Sequence, residues 1–382
     1  MPAKDFLDID AISAIRLKRL QDQGLRRTLS PTERMADGRV IRAGKPMISF
    51  SDNDYLGLSA HPRVIAASIE ATRLYGVGSG AARLVTGDNP LNERLEARLA
   101  ALKGMPAARV FGSGYLANAG AIPALVGAGD LIVMDELCHA SMHAGARLSG
   151  ARIQTYAHNN VASAAEHLRQ RDVTSHALLL TETVFSMDGD LAPLDELAVV
   201  AQDTGAWMLT DDAHGLGIVT HKNPAPLQLG TLSKSAGAYG GYIAGPANFI
   251  ELLTSRARTF VYATGLPPGV LAAALASLDV MEAEPALGEK ALANARLFGS
   301  LIGETNIESA IVPVRYGDAD VAMKASASLA RQGFLVTAIR PPTVPAGTAR
   351  LRFTFSARHS EGDVRRLAGL VLETLAEAGI AK

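Results

Sequence analysis

Thr210-Asp211-Asp212-Ala213-His214-Gly215, with Thr231-Leu232-Ser233-Lys234-Ser235-Ala236-Gly237 a little further on, decides how this chain is read. Both segments continue short apolar runs, Trp207-Met208-Leu209 and Leu227 to Leu232. The pattern predicts neighbouring strands whose ends carry an acid, an imidazole, a hydroxyl and an amine. A lysine can form a Schiff base with an aldehyde, and an aspartate can keep a ring nitrogen protonated. The small residues around Lys234 let the backbone approach a phosphate closely. Taken singly, Lys234 reads as a surface lysine and His214 as a ring packed in a turn. Taken together after apolar strands, they point to pyridoxal phosphate.

Outward from this stretch the same rhythm continues. Arg109-Val110-Phe111, Leu131-Ile132-Val133-Met134, Ala177-Leu178-Leu179-Leu180 and Tyr242-Ile243-Ala244 are further short apolar runs between helical stretches. This predicts an α/β protein with a mostly parallel central sheet and helices on both faces. Polar motifs follow the runs at Gly112-Ser113-Gly114, Asp135 to His139, Glu182 to Ser186, Asp211 to His214 and Lys234. Ligands of open α/β sheets bind outside the carboxyl ends of the strands, where these motifs fall. Upstream, Ile9 to Gly24 has the spacing of an amphipathic helix, Ile48 to Phe50 reads as a strand, and Pro90 to Leu102 as a helix stopped by Gly104. Val270 to Ala283 reads as a connecting helix, beyond which Ile311 to Val314, Gly333 to Ala338 and Arg350 to Phe355 read as strands of a smaller C-terminal α+β domain. The expected domains are an N-terminal helix and arm over 1–50, a large domain over 51–283 and a small one over 284–382.

Composition excludes several classes. The 382 residues carry a formal net charge of -1, with 48% hydrophobic and 20% charged residues, so no global field favours nucleic acid or an anionic membrane. The single cysteine, Cys138, excludes an intramolecular disulfide and a Cys-rich zinc site. The start, Met1-Pro2-Ala3-Lys4-Asp5, has no secretory apolar region. The apolar run from Gly120 to Met134 is interrupted by Pro123, several glycines and Asp130 and does not read as a membrane span. A cytoplasmic protein is expected. No P-loop pattern occurs, and Tyr75-Gly76-Val77-Gly78-Ser79-Gly80 lacks both the spacing and the preceding strand of a dinucleotide fingerprint. His139 and His143 are four apart, but no carboxylate pattern supports a metal, and none is expected.

Phe111-Gly112-Ser113-Gly114-Tyr115-Leu116-Ala117-Asn118 reads as a strand end, a turn and a helix start, where free backbone N–H groups bind phosphate. Phe260-Val261-Tyr262-Ala263-Thr264-Gly265-Leu266-Pro267-Pro268 reads as a rigid loop offering Thr264 to an anion. In Ala349-Arg350-Leu351-Arg352, the two arginines share one strand face, and a guanidinium fork suits a substrate carboxylate.

In order and together, these motifs resemble the α-oxoamine synthases, a family of fold-type I pyridoxal-phosphate-dependent transferases. The resemblance spans Asn53 to His359, and the run from Ala338 to Arg352 is most similar to the biotin-pathway branch. It implies that Lys234 binds the cofactor, Asp211 bonds its ring nitrogen, His214 and Ser186 bond its phenolic oxygen, and His139 stacks on the ring. It further implies that Glu182 lines the cofactor site, that Gly114, Tyr115 and Thr231 bind the phosphate, and that Thr264 reaches in from a second subunit of a homodimer. Lys234, His139, Asp211 and His214 are the expected catalytic set. Arg352 would bind an amino-acid carboxylate, with Thr343, Asn53, His139 and Arg26 facing substrate. The implied reaction condenses L-alanine with a pimeloyl thioester carried by CoA or acyl carrier protein. Sister chemistry on another amino acid or thioester is the alternative. A catalytically silent binding protein of this fold would have lost Lys234 or Asp211, and both are present. Two departures from the family pattern are a short segment between His214 and Lys234 and Ser233 where several relatives have glycine.

Overall fold

The computed structural model describes residues 8–35, 37–172 and 174–380. The expectation for Met1 to Asp5 lies outside these residues. Two compact units form, a larger one of Asp52–Pro313 with Thr354–Gly369 and a smaller one of Met1–Ser51, Val314–Phe353 and Leu370–Lys382. The sequence division at 50 and 283 groups the chain differently. Here the N-terminal arm belongs with C-terminal strands, because strand pairing ties Ile48 to Phe334. In chain order the arm supplies β1 (Thr32–Arg34), β2 (Arg39–Arg42) and β3 (Lys45–Ser49).

The larger unit is built on a seven-stranded sheet: β4 (Ala107–Phe111), β5 (Leu131–Asp135), β6 (Arg152–Tyr156), β7 (Ala177–Glu182), β8 (Trp207–Asp211), β9 (Leu227–Thr231) and β10 (Gly241–Gly245). Their order is β4-β10-β9-β8-β7-β5-β6, and only β10 runs antiparallel to its neighbours. The apolar runs are continuous because alternate side chains enter different cores. Ile132, Met134, Leu178, Leu180, Leu209 and Ile243 pack with Ala117, Ala121 and Ile122 of the helix Gly114–Leu125. Leu131, Val133, Leu179 and Met208 meet Leu168 and Leu197 from helices on the opposite face. The sequence reading missed β6. It is an edge strand, Arg-Ile-Gln-Thr-Tyr, with only Tyr156 buried, so no apolar run announces it.

Strand β11 (Ile311–Gly317) and the three strands after it complete the set: β12 (Phe334–Leu335), β13 (Thr337–Ile339) and β14 (Ala349–Thr354). The single strand expected from Gly333 to Ala338 is two. Phe334 and Leu335 pair with β3, whereas Thr337 to Ile339 pair with β14. The helix Ile9–Asp22 is capped by Asp8, whose Oδ1 accepts from the Ala11 N–H at 2.7 Å, and none of its residues is buried. Among the described residues no helix is long and apolar enough to cross a membrane.

Candidate active site

The loop carrying Lys234 joins β9 to β10 and is held by short backbone bonds. The Leu232 N–H donates to the Gly240 carbonyl at 2.9 Å, the Ala238 N–H to Leu232 at 2.9 Å and the Gly237 N–H to Lys234 at 2.8 Å. Gly237 has φ +59°, and a Cβ there would lie 2.2 Å from the Ser59 backbone nitrogen. Only glycine satisfies both demands. The half-buried Lys234 amine consequently sits with Nζ 2.9 Å from His214 Nε2. The other ring nitrogen of His214, Nδ1, is 2.6 Å from the hydroxyl of Tyr55, which is fully buried. Tyr55 in turn donates to Asn53 Oδ1 at 3.2 Å.

The acid doublet at the end of β8 splits as strand alternation requires. Asp212 pairs with Lys103. Asp211 is buried and accepts from Asn118 Nδ2 at 2.8 Å and from the Ala213 N–H at 3.0 Å. Asn118 Nδ2 also donates to Ser141 Oγ at 2.9 Å, and Ser141 Oγ lies 2.7 Å from His139 Nδ1. Asp211 and His139 are thereby linked through two buried polar side chains. Glu182, also buried, is register partner to Asp211 on β7. Burial first, then the neighbouring Asp211, pushes the Glu182 carboxyl well above its ordinary range. Burial also raises Asp211, but Lys234, Asn118 and His139 oppose that shift. Of this coupled pair Glu182 is the one to hold a proton, since its Oε1 has no hydrogen-bond partner. Desolvation lowers the His139 pKa from the ordinary imidazole value, partly offset by Asp211.

Gly114 begins the helix that follows β4, and a Cβ on it would touch the Thr231 side chain at 3.4 Å. Thr231, at the end of β9, bonds Ser233 Oγ at 2.8 Å and the Gly240 carbonyl at 2.9 Å. Tyr115 is exposed beside them, and Ser186 is half-buried in the loop after β7. Thr264 is exposed and forms an isolated antiparallel bridge with Ala82. Arg26, Thr343 and Arg352 belong to the smaller unit. Arg26 folds onto Gln21 at 3.0 Å, and it is Arg27 whose Nη2 reaches Thr343 Oγ1 at 3.4 Å. Arg352 is buried opposite Thr337, and Arg350 donates to the Thr348 carbonyl at 3.0 Å.

Three polar residues that matter here were not singled out from sequence: Tyr55, Asn118 and Ser141. Asn118 had one local signal, an amide inside an otherwise apolar helix. A fourth, His158, braces the loops around the site. Its Nδ1 lies 3.1 Å from Asp135 Oδ1 and its Nε2 2.8 Å from Asp190 Oδ2. Two acceptor oxygens require hydrogens on both nitrogens. Burial works against the charged ring, but the bonds to Asp135 and Asp190 outweigh it and push the pKa up to about 10. The ordinary value is 6.5, so the stabilisation is complete below about 6.5 and is lost as pH rises through about 10. Replacing His158 with glutamine is expected to destabilise the fold by about 1.5–3 kcal/mol below neutral pH. Urea midpoints of parent and variant should converge towards pH 10, and a gap independent of pH contradicts the charged bridge.

The donor set fits pyridoxal phosphate. An amine lies beside an imidazole, a buried carboxylate is oriented by two N–H donors, and a helix N-terminus packs on Thr231. Two buried oxygens beside these groups, Glu182 Oε1 and Asn118 Oδ1, make no hydrogen bond among the described residues. The sequence model of the family described as aminotransferase class I and II matches residues 45–371. An 8-amino-7-oxononanoate synthase of Methylobacterium nodulans is 54% identical over 382 residues, covering all of both chains. Among solved structures, serine palmitoyltransferase from S. paucimobilis, determined with pyridoxal phosphate and myriocin, superposes with a TM-score of 0.91 at 28% identity over 98% of this chain and 100% of that one. An 8-amino-7-oxononanoate synthase from Francisella tularensis does so with 0.74 at 25% identity over 87% and 99%. With matches spanning nearly its whole length, the chain belongs to the class I and II aminotransferase family, in the α-oxoamine synthase group of pyridoxal-phosphate-dependent acyltransferases.

Proposed function

We propose that this chain condenses L-alanine with a pimeloyl thioester, releasing CO2 and the thiol and forming 8-amino-7-oxononanoate for biotin biosynthesis. The observation that carries the reading is the Lys234 amine 2.9 Å from His214, on strand ends that also present the buried Asp211. Similarity over the full chain to 8-amino-7-oxononanoate synthases at 54% identity supports alanine and a pimeloyl group over the substrates of the serine palmitoyltransferase, 28% identical.

When bound, pyridoxal phosphate supplies an electron sink for negative charge developing at the amino-acid Cα. Lys234 would hold the cofactor through its amine and would take the Cα proton, with His214 beside that amine. Asp211 holds a proton on the ring nitrogen, and Asn118 and the Ala213 N–H keep its two oxygens oriented. His214 and Ser186 would hold the phenolic oxygen, and His139 would lie against the ring. Protonated Glu182 lines the pocket without adding a second negative charge next to Asp211. Gly114, Tyr115 and Thr231 bind phosphate at the helix N-terminus.

The reading includes a homodimer. Val77, Val85 and Tyr262 are 82%, 74% and 73% exposed close in sequence to the bridged pair Ala82 and Thr264, an apolar edge that suits coverage by a second copy. Thr264 would then complete the partner's phosphate site. CoA or acyl carrier protein delivers the acyl group in the cytoplasm.

Arg352 is the proposed carboxylate ligand for alanine, with Asn53, Thr343 and either Arg26 or its neighbour Arg27 facing substrate. The test follows thiol release with alanine, glycine or serine against pimeloyl, acetyl, succinyl and palmitoyl thioesters. Alanine with the pimeloyl thioester should be fastest, and preference for serine with palmitoyl would replace this reading by its sister. In the same assay Arg352→Lys should raise the KM for alanine about tenfold, because a point charge replaces a planar fork. Arg350→Lys should change it less, and the opposite ranking means the other arginine binds the carboxylate.

A further inference from the structure

Four side chains of the larger unit form one hydrogen-bonded row. Lys234 Nζ meets His214 Nε2 at 2.9 Å, His214 Nδ1 meets the Tyr55 hydroxyl at 2.6 Å, and that hydroxyl meets Asn53 Oδ1 at 3.2 Å. An amide oxygen only accepts, so Tyr55 directs its single hydrogen at Asn53. Its oxygen is then the acceptor towards His214, which places a hydrogen on Nδ1. A neutral imidazole with that hydrogen presents a bare Nε2, and Nε2 is the atom facing Lys234. Donation therefore runs in one direction, from Lys234 through His214 and Tyr55 to Asn53.

Tyr55 is well placed to enforce this direction. Its side chain is fully buried, its ring lies 6.0 Å from that of His214, and its carbonyl accepts from the Ala357 N–H at 2.8 Å. Among the titratable groups that interact with the charge of Lys234 are the carboxyls of Asp211 and Glu182 and the ring of His139. Negative charge on Asp211 favours the lysine ammonium, so an amine usable at neutral pH needs a proton acceptor within reach. The bare Nε2 supplies one.

We propose that Tyr55 is a positioning residue that fixes His214 in its Nδ1–H form, so that Nε2 takes a proton from the Lys234 ammonium and leaves the amine uncharged. An Nζ–H bond breaks and an Nε2–H bond forms. The positive charge moves onto the imidazole, whose Nδ1–H stays bonded to Tyr55. The inference rests on the reading of Lys234 as the reactive amine and adds the control of its protonation.

Tyr55→Phe keeps the ring and removes only the hydroxyl. The readout is the rate at which the full-length chain, freed of cofactor, forms a borohydride-reducible bond between Lys234 and pyridoxal phosphate across pH. Loss of the acceptor on Nδ1–H weakens the imidazolium, so the profile should move upward by about one pH unit. The rate should fall about tenfold at neutral pH and recover in alkali. An unshifted profile, or uniform slowing at every pH, overturns the proposal. A second measurement needs no variant: nitrogen NMR of His214 in the cofactor-free parent should find the hydrogen on Nδ1 and Nε2 bare. A hydrogen on Nε2 instead overturns it. Reduction at a different lysine overturns the reading of Lys234 itself, whereas normal labelling of Lys234 with an unshifted profile removes only the role of Tyr55.

Discussion

Lys234→Ala should lower turnover by at least about 10³-fold, because one amine performs both the covalent and the proton-transfer step. The loss should not come from unfolding. Lys234 is only half-buried, and the turn that carries it is fixed by Gly237 and by the bond between Leu232 and Gly240. Borohydride treatment of the parent should fix the cofactor on the peptide containing Lys234, and peptide mapping reads this directly. A label on another lysine, or an alanine variant that turns over normally, removes Lys234 from the mechanism.

Asp211→Asn should cost about 10²–10³ in kcat, or roughly 2.7–4 kcal/mol at the barrier. Asparagine keeps the shape but carries no charge to hold a proton on the ring nitrogen. Cofactor content, measured from absorbance after purification, should change far less than turnover, since the helix N-terminus at Gly114 and the Lys234 amine are untouched. Turnover near that of the parent would mean that the buried carboxylate next to Glu182 is structural. Asp212→Asn is the natural control. It breaks the pair with Lys103 and should affect stability more than chemistry.

Central strands were legible because they are buried on both faces and read as unbroken apolar runs, as at Leu131 to Met134 and Ala177 to Leu180. The edge strand Arg152–Tyr156 was not, since one buried residue in five leaves no pattern. The split between Leu335 and Thr337 was hidden for another reason: the two halves pair with different strands, which local sequence does not encode. The same division holds within the site. Lys234, Asp211, His214 and His139 stand in local motifs after strands. Their partners arrive from far along the chain, Tyr55 from 159 residues before His214 and Asn118 from 93 before Asp211. A tyrosine in a turn and an asparagine in an apolar helix carry no sign of what they will face.

Among the described residues strand β10 is the only neighbour of β4 in the sheet, although the two pair across more than a hundred residues of chain. During synthesis β4 therefore has no place in the sheet until Gly241–Gly245 has emerged and inserted. A strand pairing of such long range carries a large loop-closure cost and is slow to form. The helix that starts at Gly114 follows β4 directly, and a Cβ on its first residue would touch the Thr231 side chain at 3.4 Å. The Lys234 loop is the connection that delivers β10. The helix N-terminus at Gly114 and the loop that carries Lys234 thus both hang on one long-range strand pairing.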